Sequence, residues 1–229
     1  MTDKQKIICI YSVVAVISVL ILATTWFIRG RHVAPEPEPY YAQNKDISPM
    51  FKLERDLVLT NQDGKEVRIS ELKGKVWAFA QFYASCPMCA ERNAQGLKKL
   101  YETFKDQPDF HMVCITINPE IDGAAEMKAY AEGLGADTSN WWFLTGDAKL
   151  LKDYMITEMK YQPIIKRKDP TEAASKGEYA HDMAISVYDR NLSMVKRHDL
   201  YTARLKGEAY LKGEENNLHD TVRKLLEKK

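Results

Sequence analysis

Two cysteines separated by two residues are the most reactive combination in this sequence. Cys86 and Cys89 stand in the segment 82–89, FYASCPMC, which follows an apolar run and precedes a helical pattern. Pro87 suits the first turn of a helix, where one backbone N–H has no partner in any case. Both sulfurs are therefore expected near the positive end of the helix dipole, which stabilises thiolates. Thiolates attack disulfides and bind soft metals.

A C-x-x-C pair between a strand and a helix is typical of a thioredoxin-like redox or metal site. The competing interpretation is a structural disulfide or one half of a zinc site. The chain has four cysteines, and the other two, Cys9 and Cys114, do not form a second close pair that would complete structural zinc. Cys114 lies within an apolar run, which predicts a buried core thiol.

The elements around the cysteines predict an α/β fold. The runs 76–83 and 111–117 are almost entirely apolar, as in strands buried on both faces of a sheet. Around them the pattern gives a hairpin at 57–69, three helices, a short strand at 141–144, a long loop at 161–180 and a second hairpin at 184–195. This order predicts a mixed α/β sheet with helices on both faces. The cysteines then stand at the carboxyl end of a strand, where open α/β sheets place their sites.

The segment 7–28 carries no charge, and as a helix it would span roughly 33 Å, close to the thickness of a bilayer core. A cleaved signal peptide is the alternative, but the basic sequence RGRH follows instead of a small-x-small cleavage site, which favours an uncleaved transmembrane anchor. We predict an inner tail at 1–6, the anchor at 7–28, a Pro-rich linker at 29–49, a thioredoxin-like domain at 50–207 and an amphipathic helix at 208–229. The flanking charges do not orient the span.

Composition excludes some classes of function. The net charge of +1 gives no nucleic-acid footprint, and four cysteines in 229 residues do not make a disulfide scaffold. The basic run KRK at 166–168 is interpreted as solvated surface, with a patch for docking a partner as the alternative.

Several motifs together resemble one known family. They are Cys86-Pro87 after a strand, ITINP at 115–119 followed by Asp122, WFLTG at 142–146, and His181 shortly before the strand at 184–188. Over roughly residues 50 to 200 the chain is similar to the SCO/SenC family of membrane-anchored thioredoxin-fold proteins. The chain has two residues between its cysteines, where that family usually has three.

The resemblance implies a function and a site. Members of the family bind copper through two cysteines and one histidine, and they help to build the copper centre of cytochrome c oxidase. By resemblance, Cys86, Cys89 and His181 would bind Cu(I) or Cu(II). The expected partners are the copper-bearing oxidase subunit or other extracytoplasmic thiol proteins. The domain would stand in the periplasm or the intermembrane space.

Two hypotheses remain open. The first is a copper metallochaperone; the second is an extracytoplasmic thiol–disulfide oxidoreductase in which Cys86 attacks and Cys89 resolves. His181 separates them, because copper binding needs an imidazole and disulfide exchange does not. His181 stands where thioredoxins carry a cis-proline, and Asp182 or Asp122 is expected to orient its ring. A peroxiredoxin is set aside, because a second cysteine is close and Ser85 replaces the usual Thr.

Overall fold

The protein is described by a computed structural model that covers residues 2–31, 47–84 and 94–228. The chain divides into two compact units, 1–43 and 44–229. In the first unit lies helix α1, Asp3–Arg31. Among the described residues it is the helix that is long and apolar enough to cross a membrane, and its apolar side chains are exposed.

The second unit is built on a large mixed sheet. Its eight strands are β1 Phe51–Lys52, β2 Val58–Asn61, β3 Glu66–Arg68, β4 Val76–Phe82, β5 Phe110–Thr116, β6 Trp141–Thr145, β9 Ile185–Tyr188 and β10 Ser193–His198. The strand order is β1-β10-β9-β4-β5-β6-β2-β3. The central strands β4, β5 and β6 are parallel, whereas β9 runs antiparallel to β4. The predicted mixed sheet and both predicted hairpins, β2–β3 and β9–β10, are confirmed.

Helices cover both faces of this sheet, as predicted. They are α2 Gln95–Phe104, α3 Ala124–Leu134, α4 Ala148–Thr157, α5 Pro170–Lys176, α6 Leu200–Lys206 and α7 Glu208–Glu227, with a 3-10 turn at Ile69–Leu72. Every residue of β4 and β5 is buried because alternate side chains enter different cores. Val76 and Ala78 join the core under α2, α3 and α7, while Trp77 and Phe79 join the core under α4.

The prediction of a long loop at 161–180 is wrong in part. The segment contains β7, Ile165–Lys166, and β8, Tyr179–Ala180, which pair as a small antiparallel ribbon. Between them lies α5, which begins because the Asp169 carboxylate accepts hydrogen bonds from the N–H groups of Thr171 and Glu172. Pro170 occupies its first turn.

Candidate functional site

Sheet topology brings His181 to the edge at which the cysteine segment begins. β4 ends at Phe82, and its antiparallel neighbour β9 begins at Ile185, so the chain just before β9 lies at the carboxyl end of β4. Cys86 and Cys89, together with the predicted start of their helix, fall in 85–93, which lies outside the described residues. The structure describes Ala84 before that segment and Ala94 after it.

The imidazole of His181 is partly buried and is fixed at one of its nitrogens. Its Nδ1 lies 2.8 Å from the backbone carbonyl oxygen of Asp182. A carbonyl only accepts, so Nδ1 carries the proton and Nε2 carries the lone pair that could ligate a metal. The Tyr83 ring meets the imidazole edge to face, with ring centroids 5.9 Å apart. This contact joins the end of the cysteine-bearing strand to the histidine loop.

The carboxylate of Asp182 supports the histidine loop and does not serve as the Nδ1 partner. Its Oδ1 accepts a hydrogen bond from the N–H of Ala184, at 2.8 Å. Its Oδ2 lies 3.8 Å from the guanidinium of Arg197. Arg197 packs 4.1 Å from the ring centre of Tyr161 and donates to the carbonyls of Met159 and Lys160. Asp182, one of the two residues expected to orient the ring, does so through its backbone carbonyl and not through its carboxylate.

Asp122 has a different role, which the sequence did not reveal. It is fully buried, and its Oδ2 accepts from the N–H of Ala84 at 2.9 Å and from the hydroxyl of Thr116 at 2.6 Å. Thr116 Oγ1 in turn accepts from the N–H of Asn118. Asp122 thus ties the residue that enters the cysteine segment to the end of β5. A bond between positions so far apart in sequence leaves no local signal.

Cys114 is a core thiol, as predicted. It is 1% exposed, and its Sγ lies 3.4 Å from the indole nitrogen of Trp141. Burial raises the pKa of this thiol to about 12, so it stays protonated and unreactive at neutral pH. Cys114 and the exposed Cys9 are both free.

Within the described ranges, no three His, Cys, Asp or Glu side chains gather closely enough to hold a metal. Of the three predicted ligands, the described residues include only His181. Two thiolates from the neighbouring cysteine segment would make a donor set suited to copper. In chemical type, the two cysteines and His181 are therefore suitable ligands for copper.

The fold defines a protein of the thioredoxin-like class: a mixed sheet covered on both faces, with a cysteine pair following its central strand. The chain matches the family model described as SCO1/SenC over residues 45–211 and belongs to that family. A curated relative, the SCO1 protein homolog of Bacillus subtilis, is 30% identical over 87 residues. That match spans 38% of this chain and 45% of the relative, less than half of its length.

Solved structures show the same fold. A SCO1/SenC family lipoprotein from Bacillus anthracis has a TM-score of 0.63 at 22% identity, covering 78% of this chain and 97% of the other. BsSco, described as a member of the Sco family of cytochrome c oxidase assembly proteins with a disulfide switch, has a TM-score of 0.59 at 20% identity, covering 81% and 100%. Arabidopsis thaliana ScoI, solved with copper bound, has a TM-score of 0.59 at 18% identity, and the match covers 77% of this chain and 99% of the other.

Proposed function

We propose that this chain is a membrane-anchored copper protein that assists assembly of the copper centre of cytochrome c oxidase. Cys86, Cys89 and His181 would ligate the ion, which is cargo to be passed to the copper-bearing oxidase subunit. The observation that carries the proposal is the position of the His181 ring. It lies at the carboxyl end of β4, edge to face with Tyr83, and its Nδ1 is 2.8 Å from the carbonyl oxygen of Asp182, which fixes the ring's orientation.

The surroundings of His181 support a site that can both hold and release copper. The imidazole is partly buried rather than enclosed, which suits transfer of the ion by ligand exchange at the surface. Tyr83 and the ion pair between Asp182 and Arg197 hold the ring's loop from two sides. Thiolates dominate affinity for Cu(I), while the imidazole contributes more to Cu(II). Copper-bound Sco proteins among the structural neighbours support this choice of metal.

A second candidate function is thiol–disulfide exchange with an extracytoplasmic protein. The spacing of two residues between Cys86 and Cys89 favours it, and so does the disulfide switch described for BsSco. The Cys86 thiolate would attack a client disulfide and release one client thiol, forming a mixed disulfide. The Cys89 thiolate would then attack the Cys86 sulfur of the mixed disulfide and release the second client thiol. Two electrons pass to the client, which leaves as a dithiol, and a Cys86–Cys89 disulfide remains.

The anchor and the placement of the domain belong to the same proposal. The apolar side chains of α1 are exposed over the span Asp3–Phe27, as lipid contact requires. We place the domain on the extracytoplasmic side, where its cysteines can be oxidised. The boundaries proposed are 1–6, 7–28, 29–49, 50–207 and 208–229, for the inner tail, anchor, linker, thioredoxin-like domain and terminal helix.

Copper stoichiometry on the reduced full chain in a neutral detergent tests the proposal. We expect one copper ion per chain, lost in Cys86→Ala and in Cys89→Ala. His181→Ala should weaken binding, mainly of Cu(II), whereas insulin reduction by the same variant should stay nearly intact. His219→Ala is the matched control, since that imidazole packs against Phe104 on another helix. Equal copper affinity with and without His181 would overturn the copper role and leave the oxidoreductase.

A further inference from the structure

A small cavity opens beside the histidine loop. Its volume is about 290 Å³, and three elements enclose it: the end of β5 with the loop after it, one face of α4, and the β7–β8 ribbon. One water occupies about 30 Å³ of liquid, so the cavity holds roughly ten waters. That is the space for one or two amino-acid side chains, at the small end of ligand pockets.

Two residues of the cavity wall connect it to the proposed site through side-chain contacts. Tyr179 lines the cavity, and its ring meets Tyr83 edge to face at 5.7 Å, while Tyr83 meets His181 in the same way at 5.9 Å. Thr116 also lines it and bonds the buried Asp122 that holds Ala84. A molecule seated here would therefore lie one side-chain layer from the histidine loop.

The cavity lining combines apolar and charged side chains. Leu151 and Met155 of α4, and Ile164 directly before β7, belong to its apolar part. Lys166 also lines the cavity, and its ammonium group already pairs with Glu178 at 2.7 Å. Lys152 is exposed and forms no ion pair within the part of the chain that the structure describes.

Glu120 and Lys152 place opposite charges on two different elements of the cavity lining. It lines the cavity from the loop after β5, whereas Lys152 lines it from α4. Their carboxylate and ammonium groups do not form an ion pair with each other in the described structure. A ligand carboxylate is therefore attracted to the α4 side and repelled from the loop side.

We propose that this cavity docks an extended, acidic segment of the protein that the metal and thiol site serves. An apolar side chain of that segment fills the space between Leu151, Met155 and Ile164, and a neighbouring carboxylate pairs with Lys152. The proposal rests on the proposed function for the identity of the bound protein. The preference of the cavity for an acidic apolar peptide over a neutral one does not depend on that identity.

Two synthetic peptides test this preference directly. They are the capped hexapeptides Gly-Leu-Glu-Glu-Leu-Gly and Gly-Leu-Gln-Gln-Leu-Gly, which share length and apolar content and differ in charge. The readout is the methyl NMR signal of Met155, which lines the cavity, with the buried Met112 on β5 as an internal reference. The full chain is labelled on methionine methyl groups, held reduced in neutral detergent, and kept free of copper. Met155→Leu assigns the signal.

We expect the glutamate peptide to shift the Met155 signal and to bind about fivefold more tightly than the glutamine peptide, the size of one exposed ion pair. Lys152→Glu should abolish that preference. Lys149→Glu is the matched control: it makes the same change in net charge on the same helix, outside the cavity lining, and should leave binding unchanged. Glu120→Gln should strengthen binding of the glutamate peptide.

Three results would overturn the proposal: no Met155 shift with either peptide, equal affinity for both, or equal effects of the Lys152 and Lys149 changes. A Met155 shift that depends on protein concentration alone would mean that a second copy occupies the cavity, which also overturns it. The measurement is repeated in a chain carrying Cys86→Ser and Cys89→Ser. Peptide binding should persist in this variant, although the variant lacks the two proposed copper ligands. Peptide binding therefore tests the cavity, and copper binding tests the proposed function, independently of each other.

Discussion

The carboxylate of Asp122 accepts a hydrogen bond from the backbone N–H of Ala84, with 2.9 Å between nitrogen and oxygen. The two residues belong to different segments: Ala84 follows β4, and Asp122 follows β5. Because β4 and β5 are parallel neighbours, both segments leave the sheet at the same edge. The cysteine segment thus starts from a point that a buried carboxylate holds in place.

Removing this carboxylate should destabilise the fold. Asp122→Ala leaves the N–H of Ala84 and the hydroxyl of Thr116 without their acceptor, and each lost partner costs about 1–3 kcal/mol. We expect a loss of about 3 kcal/mol in the free energy of unfolding. Tryptophan fluorescence in a urea titration measures it, because Trp77 and Trp141 are fully buried. The control Asp106→Ala, at an exposed position, should change stability by less than about 0.5 kcal/mol. Equal stability of the two variants would refute the anchoring role.

Stability should also depend on His111. This residue of β5 is 8% exposed and lies edge to face against Trp142, with centroids 4.3 Å apart. Burial, followed by the nearby charge of Lys75, lowers the pKa of His111 from 6.5 to about 4. The unfolded chain therefore binds a proton more readily than the folded chain, and stability falls as pH drops from about 6.5 towards 4.

The size of this effect follows from the two pKa values. Between pH 7 and pH 5, protonation of His111 in the unfolded chain should lower the free energy of unfolding by about 2 kcal/mol. His111→Phe keeps a ring against Trp142 and removes the titrating group, so the variant should lose less stability between pH 7 and pH 5. Burial also lowers the pKa of His198, so the wild type carries more than one such contribution and the difference between the two proteins is the quantity to measure. If the free energy of unfolding fell equally with pH in the wild type and in His111→Phe, the assignment to His111 would be wrong.

The central sheet was predictable because its physical cause is local. Strands buried on both faces must be apolar throughout, and the run from Val76 and the run from His111 show this directly. Helix α5 was missed because it has no buried residue and hence no hydrophobic period. Its start signal, Asp169 followed by Pro170, was nevertheless readable. Helix α6 was also missed, although Asp199 caps its first turn through the N–H of Thr202.

The supports of the site could not be predicted in the same way. The sequence marked His181 through its position before a strand, but the choice of a backbone carbonyl as the Nδ1 partner depends on the conformation of one loop. The bond from Asp122 to Ala84 depends on how two strands lie side by side. Such contacts come from tertiary packing, which residue spacing does not encode. The same contrast separates helix α1 from the cavity beside α4. The apolar composition of one segment predicted α1, whereas the cavity forms only when distant segments pack together.

The proposed anchor predicts the side of the membrane on which the domain stands. Protease added to intact spheroplasts, or to mitoplasts, should degrade the unit 44–229, because that unit would face the medium. The same protease should spare a cytoplasmic or matrix marker until detergent is added. A domain that stays protected as long as the marker would place it on the inner side. It would also remove the oxidising environment on which the thiol chemistry relies.

The cysteine pair should be the reversible redox couple of the chain. Cys86 and Cys89 are close enough in sequence for a disulfide, whereas the buried Cys114 is 1% exposed and burial raises its pKa to about 12. After mild oxidation, alkylation and mass spectrometry should find Cys86 linked to Cys89, and dithiothreitol should reverse the link. Cys114 should react with the alkylating agent only in denaturant, and Cys9 should remain unlinked. Cys114→Ala serves as the control and should leave the Cys86–Cys89 link unchanged. A dominant bond from Cys114 to either member of the pair would require β5 to open, and it would refute the burial that the fold gives this thiol.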